Sequence, residues 1–72
     1  MKKVFKMEEL DCAHCAQKMQ DAIEKLPGVE KVTINFLTQK MTLEAPQEQM
    51  EEILLQAEKI CKKIEPDCRI IH

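Results

Sequence analysis

Apolar and polar residues alternate from Lys3 to Glu8, with Phe5 and Met7 on one side and Val4, Lys6 and Glu8 on the other, which is the period of a strand with one buried face. From about Ala13 the period lengthens. Ala16, Met19, Ile23 and Leu26 recur at helical spacing, Gln17, Lys18, Gln20, Asp21 and Glu24 fall off that stripe, and Pro27-Gly28 ends the helix. Val32, Ile34 and Phe36 then alternate with Thr33 and Asn35. After a short break near Leu37-Thr38, Met41 and Leu43 alternate with Lys40, Thr42 and Glu44, which predicts a hairpin. A second helix starts at Ala45-Pro46-Gln47, carries the stripe Met50, Ile53, Ala57, Ile60 and Ile64, and cannot continue through Pro66. Cys68-Arg69-Ile70-Ile71 predicts a short closing strand.

The order strand, helix, strand, strand, helix, strand predicts an α+β fold of the ferredoxin-like βαββαβ kind, a four-stranded antiparallel sheet with two helices on one face. If the first and last strands lie side by side and antiparallel, the loop from Glu9 to Ala13 faces the loop from Glu65 to Asp67. There is no internal repeat, low-complexity tract or linker, and 72 residues predict a single domain, 1–72. A chain this short buries only roughly 60% of its unfolded surface, which leaves no room for a lidded substrate cleft.

Composition narrows the function. Charged residues are 33% and hydrophobic ones 44%, an ordinary globular balance. The formal net charge is -2, the cations are scattered among acids, and Phe5 and Phe36 are the only aromatic residues, so neither the basic patch nor the stacking platform of a nucleic-acid binder is present. No apolar run is long enough for membrane insertion or for a signal peptide, and the chain reads as cytoplasmic, with its four cysteines expected as reduced thiols.

Asp11-Cys12-Ala13-His14-Cys15-Ala16 places two thiols, a carboxylate and an imidazole where the first strand gives way to the first helix. Two thiols at this spacing can point at one spot, and the positive end of a helix makes both easier to ionise, which suits a soft-metal site or a redox pair. Copper(I) is satisfied by two thiolates, whereas zinc and cadmium accept a mixed sulfur and oxygen set that Asp11 would complete. Asp11 also stands where a helix N-cap belongs, so ligand and cap are both open to it.

The other polar and sulfur-bearing residues have plainer readings beside their chemical ones. His14 lies between the thiols and is a possible ligand, yet solvent exposure is its expected state. Cys61 and Cys68 fall at inward phases and are expected as small core residues. Glu65 and Asp67, in the facing loop, are either solvated acids or an outer ligand for the site. Met7, Met19, Met41 and Met50 occupy core phases and are expected to pack. His72 ends a strand that runs away from the thiols and is given no function.

The Leu10-Asp11-Cys12-Ala13-His14-Cys15-Ala16 loop, the helix end Leu26-Pro27-Gly28-Val29 and the strand Val32-Thr33-Ile34-Asn35-Phe36 together resemble the heavy-metal-associated domain, over nearly the whole chain. The resemblance implies that Cys12 and Cys15 are metal ligands. It also implies that Asp11 matches the acidic residue found before the first cysteine in zinc-, cadmium- and lead-type members, where copper-type members usually carry Thr, Ser or His. Lys62-Lys63-Ile64-Glu65-Pro66-Asp67 is similar to the zinc and cadmium pump group. Glu9 departs from the family, which usually has Gly there, and a side chain at that position restricts the loop's backbone.

The expected function is therefore a soluble, non-enzymatic module that binds Zn(II), Cd(II) or Pb(II) through Cys12, Cys15 and Asp11, with His14 and Glu65 as secondary candidates. It would act as a monomer and deliver the ion to, or regulate, a membrane metal-transporting P-type ATPase, in cis or in trans. A copper(I) metallochaperone or copper-pump domain is the alternative, and a thiol-disulfide oxidoreductase the alternative from another class.

Overall fold

In a computed structural model that describes residues 1–10 and 12–71, the first strand, β1, runs from Lys2 to Glu8. It is followed by α1 (Ala13–Glu24), β2 (Lys31–Asn35), β3 (Lys40–Glu44), α2 (Gln47–Ile64) and β4 (Arg69–Ile71). The sheet order is β2-β3-β1-β4, with β1 antiparallel to both neighbours and β2 antiparallel to β3. This is the ferredoxin-like arrangement expected from the element order.

Strand register explains the core. Phe5 and Ile34 both pair with Met41, Val32 pairs with Leu43, and Met7 pairs with Ile70, so each inward row is continuous across the sheet. All seven side chains are buried, and Ala16, Met19 and Ile23 of α1 and Met50, Ile53, Leu54, Ala57 and Cys61 of α2 close over them. The four methionines assigned to the core are there, between 0% and 4% exposed, as are Cys61 and Cys68. The alternating residues Lys6, Thr33, Lys40 and Arg69 leave the opposite sheet face to solvent, and the amphipathic pattern of each strand is thereby satisfied.

The two helices differ in detail from the sequence reading. α1 ends at Glu24, with Lys25 as its C-cap, and Leu26 to Gly28 form a turn in which Gly28 takes a φ of +92°. On α2 the buried stripe includes Cys61 as expected and also takes in Leu54, whereas Ile60 and Ile64 are only partly buried. The helix has 18 residues, long enough for a straight 3.6-residue period to rotate its buried face away from the stripe read at its start.

The β1–β4 pairing sets Glu8 opposite Arg69, and their side chains form an exposed ion pair at 2.9 Å. The chain leaving β1 and the turn entering β4 therefore share one edge of the domain, and the β2–β3 turn reaches the same edge through a Met7 N–H to Gln39 C=O bond of 2.7 Å.

Candidate metal-binding site

The site grows out of the end of β1. Glu9 takes a left-handed backbone conformation, φ 61°, which swings the chain off the strand. Leu10 then drops its side chain into the core with no exposed surface. Its N–H donates to Gln39 Oε1 at 3.3 Å and its C=O accepts from Gln39 Nε2. Asp11 lies outside the described residues, and so does His72.

Cys12 is the N-cap of α1, one residue later than the cap position read at Asp11. Its backbone is extended (φ -130°, ψ 116°), its C=O accepts the Ala16 N–H at 3.0 Å, and its Sγ accepts the Cys15 N–H at 3.1 Å. A sulfur thus does what an Asp or Ser oxygen does at most helix starts, satisfying a main-chain donor that the helix cannot. Cys15 follows in the first turn, both thiols are half-buried, and Cys15 packs against the core.

The two thiols are not equivalent. Cys12 is held below its ordinary pKa, first by a hydrogen bond from the Cys15 thiol, then by the main-chain N–H groups of Cys15 and His14, all of which favour the thiolate. Cys15 is pushed up to about 11, because its proton is the one shared with Cys12, because burial disfavours its charge, and because a thiolate there would face that of Cys12. The expectation that both thiols ionise more easily holds for Cys12 alone. Of the two sulfurs, Cys12 is the one more readily ionised and Cys15 the one that keeps its proton.

Glu65, the C-cap of α2, is close enough to raise the pKa of both thiols by charge repulsion, and its backbone is pinned by an N–H bond to the Cys61 C=O at 2.7 Å and by the Cys68 N–H at 2.9 Å. The facing loop therefore brings a carboxylate toward the pair, as the topology predicted. The side chain of His14 is exposed. Among the described residues no three of His, Cys, Asp and Glu converge as a ready metal-binding group, and what these residues contribute is a two-thiol pair with Glu65 nearby.

Cys61 and Cys68 form a second, separate thiol contact. Both are fully buried, and Cys61 is pushed up to about 12, chiefly by burial and then by Cys68, which leaves it a neutral core group. The residue that sequence reasoning missed is Gln39. No motif marks a glutamine in a hairpin turn, and its partner Leu10 lies 29 positions away.

Comparison with known proteins gives a consistent family. The model of the heavy-metal-associated domain matches residues 4–68. The cadmium, zinc and cobalt-transporting ATPase of Bacillus subtilis (strain 168) is 26% identical over 66 residues, which are 92% of this chain and 9% of that protein. The zinc/cadmium/lead-transporting P-type ATPase of Escherichia coli (strain K12) is 39% identical over 41 residues, 57% of this chain and 6% of that protein. The chain thus spans less than a tenth of either ATPase. The copper chaperone CopZ of Enterococcus hirae is 28% identical over 89% of this chain and 86% of its own. In fold, the solved structure of the N-terminal domain of a potential copper-translocating P-type ATPase from Bacillus subtilis superposes with a TM-score of 0.75 at 21% identity, covering 97% of this chain and 82% of that one. No helix among the described residues is long and apolar enough to cross a membrane.

Proposed function

The chain belongs to the heavy-metal-associated domain family, and from that membership we propose that it takes up Zn(II), Cd(II) or Pb(II) through Cys12, Cys15 and Asp11. It then hands the ion to the transport site of a membrane P-type ATPase, in the same polypeptide or in another. The observation that carries this reading is the inequivalent thiol pair at the start of α1: Cys12 is favoured as thiolate while Cys15 keeps a proton. Cys12 is the group that meets an incoming ion first. Coordination by Cys15 then releases its proton to solvent, because a thiol ligates as thiolate.

Two thiolates and one carboxylate around a divalent ion leave a net charge of -1 and an open position. A structural zinc site is instead closed by four protein ligands. An open site suits stepwise exchange, in which a partner thiolate binds before Cys15 leaves. Glu65, beside the pair, is the candidate to hold the ion or the released proton during that exchange. The zinc- and cadmium-transporting relatives support the choice of metal, and the acidic residue before the first cysteine supports Asp11 as the oxygen ligand.

One observation favours a copper(I) reading: the copper chaperone CopZ is 28% identical over 89% of this chain, and two thiols suffice for copper(I). Competitive titration of the reduced protein and of Asp11→Ala separates the two. Zinc and cadmium affinity should fall roughly tenfold or more in the variant while copper(I) affinity holds. Equal losses for all three metals would remove Asp11 from the ligand set.

A further inference from the structure

Gln39 is a polar residue in the short turn between β2 and β3, and nothing in its own neighbourhood of sequence requires a glutamine. Its conformation is unusual. Only Glu9 and Gln39, among the described residues other than glycine, have a positive φ, 61° and 56°, and they lie across the same joint. The turn is built to present Gln39 in this way: Asn35 Oδ1 accepts the N–H groups of Leu37 at 2.9 Å and Thr38 at 3.1 Å, which curls the chain back before β3 begins. Gln39 then turns three of its polar groups on the end of β1 and the start of the thiol loop. Its C=O accepts the Met7 N–H, its Oε1 accepts the Leu10 N–H, and its Nε2 donates to the Leu10 C=O.

Leu10 is therefore fixed twice, by its side chain in the core and by both main-chain groups on one amide. It stands two residues before Cys12, whose sulfur must meet the Cys15 N–H and a metal ion in one geometry. A segment leaving a strand through a left-handed residue has no ladder of its own to satisfy Leu10, and water would do so without fixing its direction. An ordered loop binds its ion without the entropy cost of ordering it first.

We infer that Gln39 is a positioning residue for the metal site, clamping the Leu10 backbone so that Cys12 is held ready for the ion. The inference rests on the metal-binding reading of Cys12 and Cys15. The Gln39 side chain bonds to Leu10 and not to either thiol, and it acts through the backbone of Leu10.

The test uses the reduced 72-residue chain, Cd(II) and a competing chelator, with the cadmium–thiolate charge-transfer band as readout. Gln39→Asn keeps a residue tolerant of positive φ but shortens the side chain by one methylene, out of reach of Leu10. Gln39→Glu keeps the acceptor for the Leu10 N–H and loses the donor. Ile53→Val, in the core beside Gly28 at the far end of the domain, serves as the control for a merely structural loss.

The expected order of cadmium affinity is wild type, then Gln39→Glu, then Gln39→Asn about tenfold below wild type, on the scale of the hydrogen bonds removed. Ile53→Val should bind as wild type does. In the metal-free protein, Gln39→Asn should speed amide exchange at Leu10 and Cys15 and leave α2 unchanged. Affinity of Gln39→Asn within roughly twofold of wild type, or a loss no greater than in Ile53→Val, would overturn the inference. The two failures are distinct: a wild-type protein without the charge-transfer band sinks the metal reading, whereas a strong wild-type band with unchanged variants sinks the clamp.

Discussion

The Cys15 N–H donates to Cys12 Sγ at 3.1 Å, so the sulfur that caps α1 is also the first thiol of the candidate metal pair. Helix start and ligand are one group, and any change at Cys12 acts on both. Serine is a strong N-cap and a poor ligand for a soft ion, whereas alanine is neither. Cys12→Ser should therefore keep a Tm near wild type and lose cadmium binding, and Cys12→Ala should lose binding and several degrees of Tm as well. Thermal melts of the metal-free variants check this, and equal melting of Ser and Ala would mean the sulfur does not cap.

The shared proton sets an order of thiol reactivity. Alkylation needs the thiolate, which Cys12 favours and Cys15, raised to about 11, does not. Cys61 and Cys68 are fully buried. Limiting iodoacetamide at neutral pH should label Cys12 first, Cys15 more slowly, and Cys61 and Cys68 only after unfolding, as read by peptide mass spectrometry. Glu65→Gln removes a carboxylate that raises both outer thiols, so it should speed labelling at Cys12. Slower labelling in that variant would contradict the placement of Glu65.

Much of this was legible in sequence, for a physical reason. Each element buries one face, so Phe5, Met7, Met41 and Leu43 announce strands by alternation, and Ala16, Met19 and Ile23 a helix by its longer period. The same logic puts the Glu65 loop beside the thiols, because β1 and β4 are antiparallel neighbours. Where several local partners compete, periodicity is silent. The cap at Cys12 depends on which of two adjacent polar side chains meets a main-chain donor, and the unequal thiols depend on where one proton sits. Gln39 belongs to a third kind, a side chain whose meaning lies in a backbone 29 residues away.

Cys61 gives a pH dependence. Its ordinary pKa is 9.0 and burial pushes it up to about 12, so between those values the unfolded chain loses a proton that the folded chain retains. Its contribution to stability is complete below pH 9 and declines as pH rises toward 12. Denaturant midpoints measured across that range should fall more steeply for the wild type than for Cys61→Ala, whatever the difference in their neutral-pH stability. Parallel slopes would mean the thiol titrates normally in the fold.

Met41 separates packing from ligation among the methionines. It is fully buried between Phe5 and Ile34 across the sheet. A leucine of similar volume should cost less than about 1.5 kcal/mol, and an alanine about 2–5 kcal/mol. Met41→Leu should also bind metal as wild type does. Loss of affinity in a stably folded Met41→Leu would reopen a thioether role.

Glu9 carries the strain of the loop. Its φ is 61°, and a left-handed conformation costs a side-chain-bearing residue about 1–2 kcal/mol. Glycine removes that cost but adds freedom to the unfolded chain, so Glu9→Gly should be neutral to stabilising by up to about 1 kcal/mol. Valine, branched at Cβ, fits this region worse than glutamate and should destabilise clearly. Denaturant titration of the three proteins gives the order Gly, Glu, Val, and a valine variant as stable as wild type would show that the turn has another conformation open to it. Because Leu10 stays clamped in each, cadmium affinity should follow this order only weakly, and a steep dependence would place the control of the thiols at Glu9 instead of at Gln39.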